Sequence, residues 1–185
     1  LLSALFLLAT VSAQASDVIL KPFVLASKGA GTVAEKTEQA KSALTSAGFT
    51  VVGNYSPYAD AQILIVTSDE LKKNAAASEH GGYGAIQRVA VTKVKDEVQV
   101  SYTNPVYMAA VYRMKNDLSG TSTALASALG RVEEFGAKGM TAAQARKYHY
   151  MVGMEYFDEP SLLAEYPSHE EAVKAVDAKL ASNKN

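Results

Sequence analysis

The stretch Ile86–Thr103 constrains the fold more tightly than any other. It carries two alternating β-type runs on either side of Lys95-Asp96. With those two residues as the loop of a hairpin, Val91 opposes Val100 and Val89 opposes Tyr102 on one side. Arg88, Thr92, Gln99 and Ser101 then fall mostly on the other. A one-residue slip would move every one of these side chains to the opposite face. Register and pattern therefore agree on an antiparallel pair with an apolar side. The loop lacks the Asn-Gly type of pair that favours two-residue hairpins, which leaves a slip of one residue open.

The flanking segments extend this into a mixed fold. Val18–Ser27 is β-rich but contains Pro22, which donates no ladder hydrogen bond and points to an edge strand. Thr32-Val33-Ala34-Glu35 matches the capping box of a helix start, and Val33, Thr37, Ala40, Leu44 and Ala47 follow on one helical face up to Gly48. Phe49–Tyr55 is expected as a strand with Phe49, Val51 and Tyr55 on one face, and Ala61–Thr67 as an interior strand buried on both faces. Ser68-Asp69-Glu70 opens a short helix to Ala77, and Asn104-Pro105 opens another to Tyr112. Further helices are expected over Ser122–Phe135, from Thr141 with Gln144 as a capping box, and after Ser168. The last of these would bury Ala172, Val173, Val176 and Leu180. Tyr148–Phe157 alternates as a strand. About five helices and five strands in this order suit an α+β two-layer sandwich, a mainly antiparallel sheet with helices packed on one face.

Composition excludes several chemistries. With 18 Lys+Arg against 19 Asp+Glu, nothing favours a nucleic-acid or anionic-membrane surface. The chain has no Cys, which removes disulfides, thiolate catalysis, iron–sulfur clusters and a Cys-linked lipid anchor. Residues 1–15 are apolar and uncharged and end in Ala13-Gln14-Ala15, a small-x-small site of the kind signal peptidase accepts. About 15 apolar residues are short for a bilayer, which needs about 20. The expectation is a signal peptide cleaved after Ala15, and residues 16–185 as a single periplasmic or secreted domain without a membrane anchor. The start at Leu1, with no basic residues ahead of the apolar run, points to a few missing leading residues.

Side chains that carry chemistry are sparse. There is no Gly-x-Ser-x-Gly elbow, no Ser-x-x-Lys and no glycine-rich phosphate turn between a strand and a helix. His80 precedes Gly81-Gly82-Tyr83-Gly84 and His169 lies in a helix start; both read as surface positions. In Tyr148–Phe157, a two-residue period puts His149, Met151 and Glu155 on one side with Gly153 leaving a gap between them. Imidazole and thioether together suit copper(I) or haem. One His and one Met do not make a specific metal motif, and packing beneath a helix is the plainer account. Ten tyrosines against five phenylalanines, Tyr102 and Tyr107 among them, would suit a ligand groove or half-buried sheet positions.

The helix running into Ala47-Gly48-Phe49-Thr50-Val51-Val52, and the strand running into Asn104-Pro105, resemble the DUF302 domain family. The stretch Tyr148–Asp158 looks like a hallmark of an exported subgroup of it. The resemblance covers a core of about 18–135, with about 141–182 as a C-terminal strand–helix extension. It implies a compact, often dimeric α+β domain without an established catalytic activity, and it carries over no site residues. The resulting expectation is a non-catalytic domain that binds a small ligand or a protein partner, with no cofactor and with a homodimer among its forms. Ligand contacts would come from His149, Met151, Glu155, Tyr102 and Tyr107. The alternative is a periplasmic copper- or haem-handling protein using His149 and Met151.

Overall fold

A computed structural model describes residues 18–156, 159 and 161–182. Its centre is a six-stranded antiparallel sheet in the order β2-β3-β4-β5-β1-β6. The strands are β1 (Phe23–Gly29), β2 (Thr50–Tyr55), β3 (Ala61–Thr67), β4 (Gln87–Val94), β5 (Glu97–Thr103) and β6 (Glu133–Phe135). The hairpin of β4 and β5 has the register read from sequence: Val91 pairs with Val100 and Val89 with Tyr102, around Lys95-Asp96. Lys95 takes the left-handed conformation that the short loop requires (φ 56°).

Helix α1 (Val33–Ser46) starts with both hydrogen bonds of the Thr32/Glu35 capping box. With α4 (Ser119–Leu129) it covers one side of the sheet. Leu44, Leu64, Val66, Val89, Val91, Val24 and Leu125 are fully buried there. Burying each such side chain contributes about 1.5–3 kcal/mol. The helices on one face of an antiparallel sheet make the two-layer α+β architecture.

Four expectations change. The chain from Phe23 is not at an edge: β1 lies between β5 and β6. Pro22 precedes the ladder, so its missing N–H is no loss, and its carbonyl accepts from the Asn104 N–H at 2.8 Å. Second, β3 is interior but buried on one face only, since Ile63 and Ile65 on the other are half-buried. Third, a bulge in β2 sets Val52 and Gly53 against Ile65, so Val51 keeps to the core side while Tyr55, opposite Ile63, goes to the other. Fourth, the helix expected over Ser122–Phe135 starts at Ser119, where Asp117 accepts from the Ser119 N–H at 2.9 Å, and stops at Leu129. Glu133–Phe135 then joins the sheet.

Gly130 is the reason for that stop. Its backbone (φ 98°, ψ 172°) lies in a region essentially reserved for glycine, and an added Cβ would meet the Ala26 carbonyl oxygen at 2.6 Å. Its own carbonyl accepts from the buried Tyr102 hydroxyl at 3.3 Å. Arg131 follows, bonding the Ser122 hydroxyl and pairing with Glu134, whose other oxygen takes the Lys21 N–H. Substituting Gly130→Ala should therefore lower unfolding stability by at least about 1–3 kcal/mol, read by denaturant melts; an unchanged midpoint would contradict this account of the α4–β6 junction.

Candidate functional site

The site is assembled at one end of the sheet, beginning from Asn104. Its N–H bonds Pro22 and its side-chain amide donates to the Lys21 carbonyl at 2.9 Å, so the start of α3 (Pro105–Val111) is tied to the chain ahead of β1. Pro105 at the first helical position needs no donor there. Helix α5 (Ala142–Ala145) begins with the complete Thr141/Gln144 capping box. A two-way backbone bridge between Leu20 and Met140 fixes its approach. Ala110, Val111 and Ala145 then pack into a second small core with Tyr107, Met108, Tyr112 and Met140.

Helix α2 (Asp69–Ala76), capped by Ser68, leads to a 3-10 turn at Gly81–Gly84. The loop after α3 is fastened to it. Lys115 N–H donates to the Ser78 hydroxyl at 3.0 Å, and Asn116 bonds Asn74 at 2.7 Å. Tyr83 stacks on Tyr112 with ring centres 5.2 Å apart. Arg113, in a left-handed conformation (φ 50°), lines a cleft of about 270 Å³ with Ser78, Glu79, His80 and Tyr112. From the other side, Arg146 donates to the Met114 carbonyl at 3.0 Å.

The segment after α5 departs from the expected strand. Among the described residues, Tyr148–Tyr156 joins no ladder; it is irregular chain that bends at Tyr150-Met151 and turns at Val152-Gly153. Met154 N–H bonds the Met151 carbonyl, Gly153 takes φ 84°, and the His149 Nδ1 contacts the Met154 carbonyl oxygen. Local partners thus satisfy backbone groups that a strand would have given to a neighbour. Phe157 and Asp158 lie outside the described residues. The His149 ring rests 3.8 Å from that of Tyr156, and the Arg113 guanidinium stands 4.2 Å from the Tyr156 ring centre. An exposed cation over an aromatic face contributes about 0.5–1 kcal/mol.

An open groove runs between α5 and this segment, lined by Ala143, Gln144 and Lys147 to Gly153. It brings His149 and Met151 together, by a turn rather than by strand alternation. Tyr150, Met151 and Val152 stand exposed around it, at 74%, 62% and 106% of full accessibility. Glu155 is exposed but does not line it. Tyr107 sits behind Tyr148, with its phenol pushed above the usual value by burial and then by Tyr148. Tyr102 lies in the main core, its phenol raised by burial against the pull of the Arg131 guanidinium. Sequence reading missed Arg113. Its place beside Tyr156 depends on a contact between distant segments that no local pattern announces.

No family model matches the sequence, and no curated protein matches it. Among solved structures, the chain is similar to an uncharacterized conserved DUF302 protein from Bacillus stearothermophilus. The TM-score is 0.52 at 15% identity, covering 63% of this chain and 100% of that one. The fold is therefore the DUF302 fold, as the Ala47–Val52 and Asn104-Pro105 segments led us to expect.

The two raised phenols give a pH dependence. A folded-state value above the ordinary 10.0 stabilises the fold fully below that pH, and the contribution is lost as pH rises through the higher folded value. Phenolate absorbance should show two tyrosines ionising above the ordinary value, one of them removed in Tyr107→Phe. Simultaneous ionisation of all the tyrosines near the ordinary value would contradict this burial.

Proposed function

We propose that this chain is an exported, non-catalytic binding domain whose seat is the groove between α5 and Tyr148–Gly153. One observation carries the reading. Tyr150, Met151 and Val152 are held in the open around a concave surface, next to only a few polar groups, Gln144, Lys147 and His149. Ligand sites have this composition, apolar walls with a small number of polar groups that set orientation. Exposed apolar side chains in a cluster are otherwise a liability in water. The occupant is the apolar part of a small molecule or of a protein partner, with Lys147 and the His149 imidazole in reach of its polar end. The uncharged apolar stretch at residues 1–15 supports a periplasmic or secreted setting.

A second reading, copper(I) or haem handling, has its own support. His149 and Met151 line the same groove. With Nδ1 turned to the Met154 carbonyl oxygen, Nε2 is the ring nitrogen left for a metal. Native mass spectrometry of the protein isolated from its own source separates the two readings. An organic adduct or a bound protein, lost in Val152→Asp, is the expected result. An adduct of copper or haem mass, lost in His149→Ala, would replace the first reading with the second. A bare chain from every preparation would overturn both, and residues 1–15 still attached would contradict export.

A further inference from the structure

The last helix, α6 (His169–Ala181), buries none of its residues, so Ala172, Val173, Val176 and Leu180 do not form the buried stripe that was expected. The helix layer over the sheet is α1 and α4, and that layer is not closed. Between the two helices lies a cleft of about 180 Å³. Its floor is the sheet pair Ser27 and Val100. Its walls are Ala40 and Ala43 from α1 and Ala128 and Leu129 from α4, with Lys36 and Gln39 extending the α1 side.

Packing alone explains neither the floor nor the α1 side. In an unbroken ladder Ala26 would face Val100, and Ser27 would turn to the open side of the sheet; the extra residue in β1 brings Ser27 under the helices instead. Bulges re-aim single side chains in this way and are frequent beside active sites. A hydroxyl turned into an apolar layer costs stability unless it finds a hydrogen bond. On the α1 side stands Lys36, half-buried. Among the described residues, no hydrogen bond or ion pair engages the side chains of Ser27, Lys36 or Gln39. Both acids of α1 are committed elsewhere: Glu35 accepts from the Thr32 N–H and hydroxyl, and Glu38 pairs with Lys41 at 2.8 Å. The cleft therefore offers one cation, one hydroxyl and one amide, with no carboxylate, against apolar walls.

The geometry points to a binding site for a short aliphatic carboxylate. Lys36 brings a single positive charge to a single negative one, and a hydrogen bond of this charge-assisted kind is stronger than a neutral one. The Ser27 hydroxyl and the Gln39 amide are the remaining donors. Ala40, Ala43, Val100, Ala128 and Leu129 take the hydrocarbon end, the usual division of labour in a ligand site. A phosphate dianion would call for a second cation or the fork of an arginine, and neither lines this cleft. Volume sets the length: with about 30 Å³ for each water-sized portion, 180 Å³ holds roughly six non-hydrogen atoms, the size of butyrate. This site is separate from the groove beside α5 and does not depend on what the groove binds.

Amide NMR of the full chain, titrated with butyrate, butylammonium and inorganic phosphate in turn, tests the site. Butyrate should move the amides of Ser27, Ala40, Ala43 and Ala128 saturably at millimolar concentration, and butylammonium should leave them in place. Lys36→Met keeps the stem and removes the charge; it should weaken butyrate about tenfold or more, with an unchanged circular dichroism spectrum. Ala43→Leu fills the cleft and should abolish the butyrate shifts, and Lys36→Met decides the matter if that variant does not fold. Four results would overturn the proposal: butyrate shifts that never saturate, an equal response to butylammonium, tighter binding of phosphate than of butyrate, or full butyrate affinity in Lys36→Met.

Discussion

The fold depends on a sheet that buries one face. Val89, Val91, Val100 and Tyr102 pair into a single layer beneath α1 and α4, and the residues between them on β4 and β5 point the opposite way. Once that parity is set, each added strand has to keep it or break it at a defined place. The sheet breaks it twice. In β2 the extra residue at Val52 sends Tyr55 outward, and in β1 the register shifts between Leu25 and Ser27, which turns Ser27 to the helix-covered side opposite Val100. Bulges of this kind change which face a side chain serves without ending the ladder. The result is a well-filled interior on one side and a mixed surface on the other, where Ile63 and Ile65 stand among Arg88, Thr92, Gln99 and Ser101.

Legibility followed the range of the interactions. The Thr32/Glu35 and Thr141/Gln144 capping boxes close within four residues, so their chemistry was readable from the sequence and both are present in full. The β4–β5 hairpin was readable because its partners are neighbours in the chain and its alternation is unbroken. The segment Tyr148–Tyr156 has an equally good alternation, but a strand needs a ladder partner, and here backbone groups are satisfied by a turn at Met151–Met154 and by the His149 ring. The continuous helix read across Ser122–Phe135 failed at Gly130, because the Ala26 carbonyl and the Tyr102 hydroxyl that fix that glycine come from other strands. Period 3.6 continues through such a position; the backbone does not.

The same distinction governs the candidate site. His149 and Met151 were visible as a pair of uncommon residues two positions apart, and they do share a groove. Arg113 was not visible at all. It follows α3, which Asn104 and Pro22 hold at the end of the sheet, and it meets Tyr156 only because α5 packs back on α3. Tyr102 and Tyr107 show that tyrosine abundance alone does not locate a groove: one phenol supports the α4–β6 junction and the other stands behind Tyr148. The likeness to the DUF302 structure covers 63% of the chain.

Hydrogen exchange read by mass spectrometry tests the central claim directly, because it separates paired strands from turns whatever their side-chain pattern. The slowest amides are expected in β3, β4, β5 and β1, whose ladders have neighbours on both sides, and Tyr148–Tyr156 should exchange orders of magnitude faster. Protection of Tyr148–Tyr156 equal to that of β4 would mean that this segment is a strand of the sheet, and would contradict both the one-sided fold and the groove built on it.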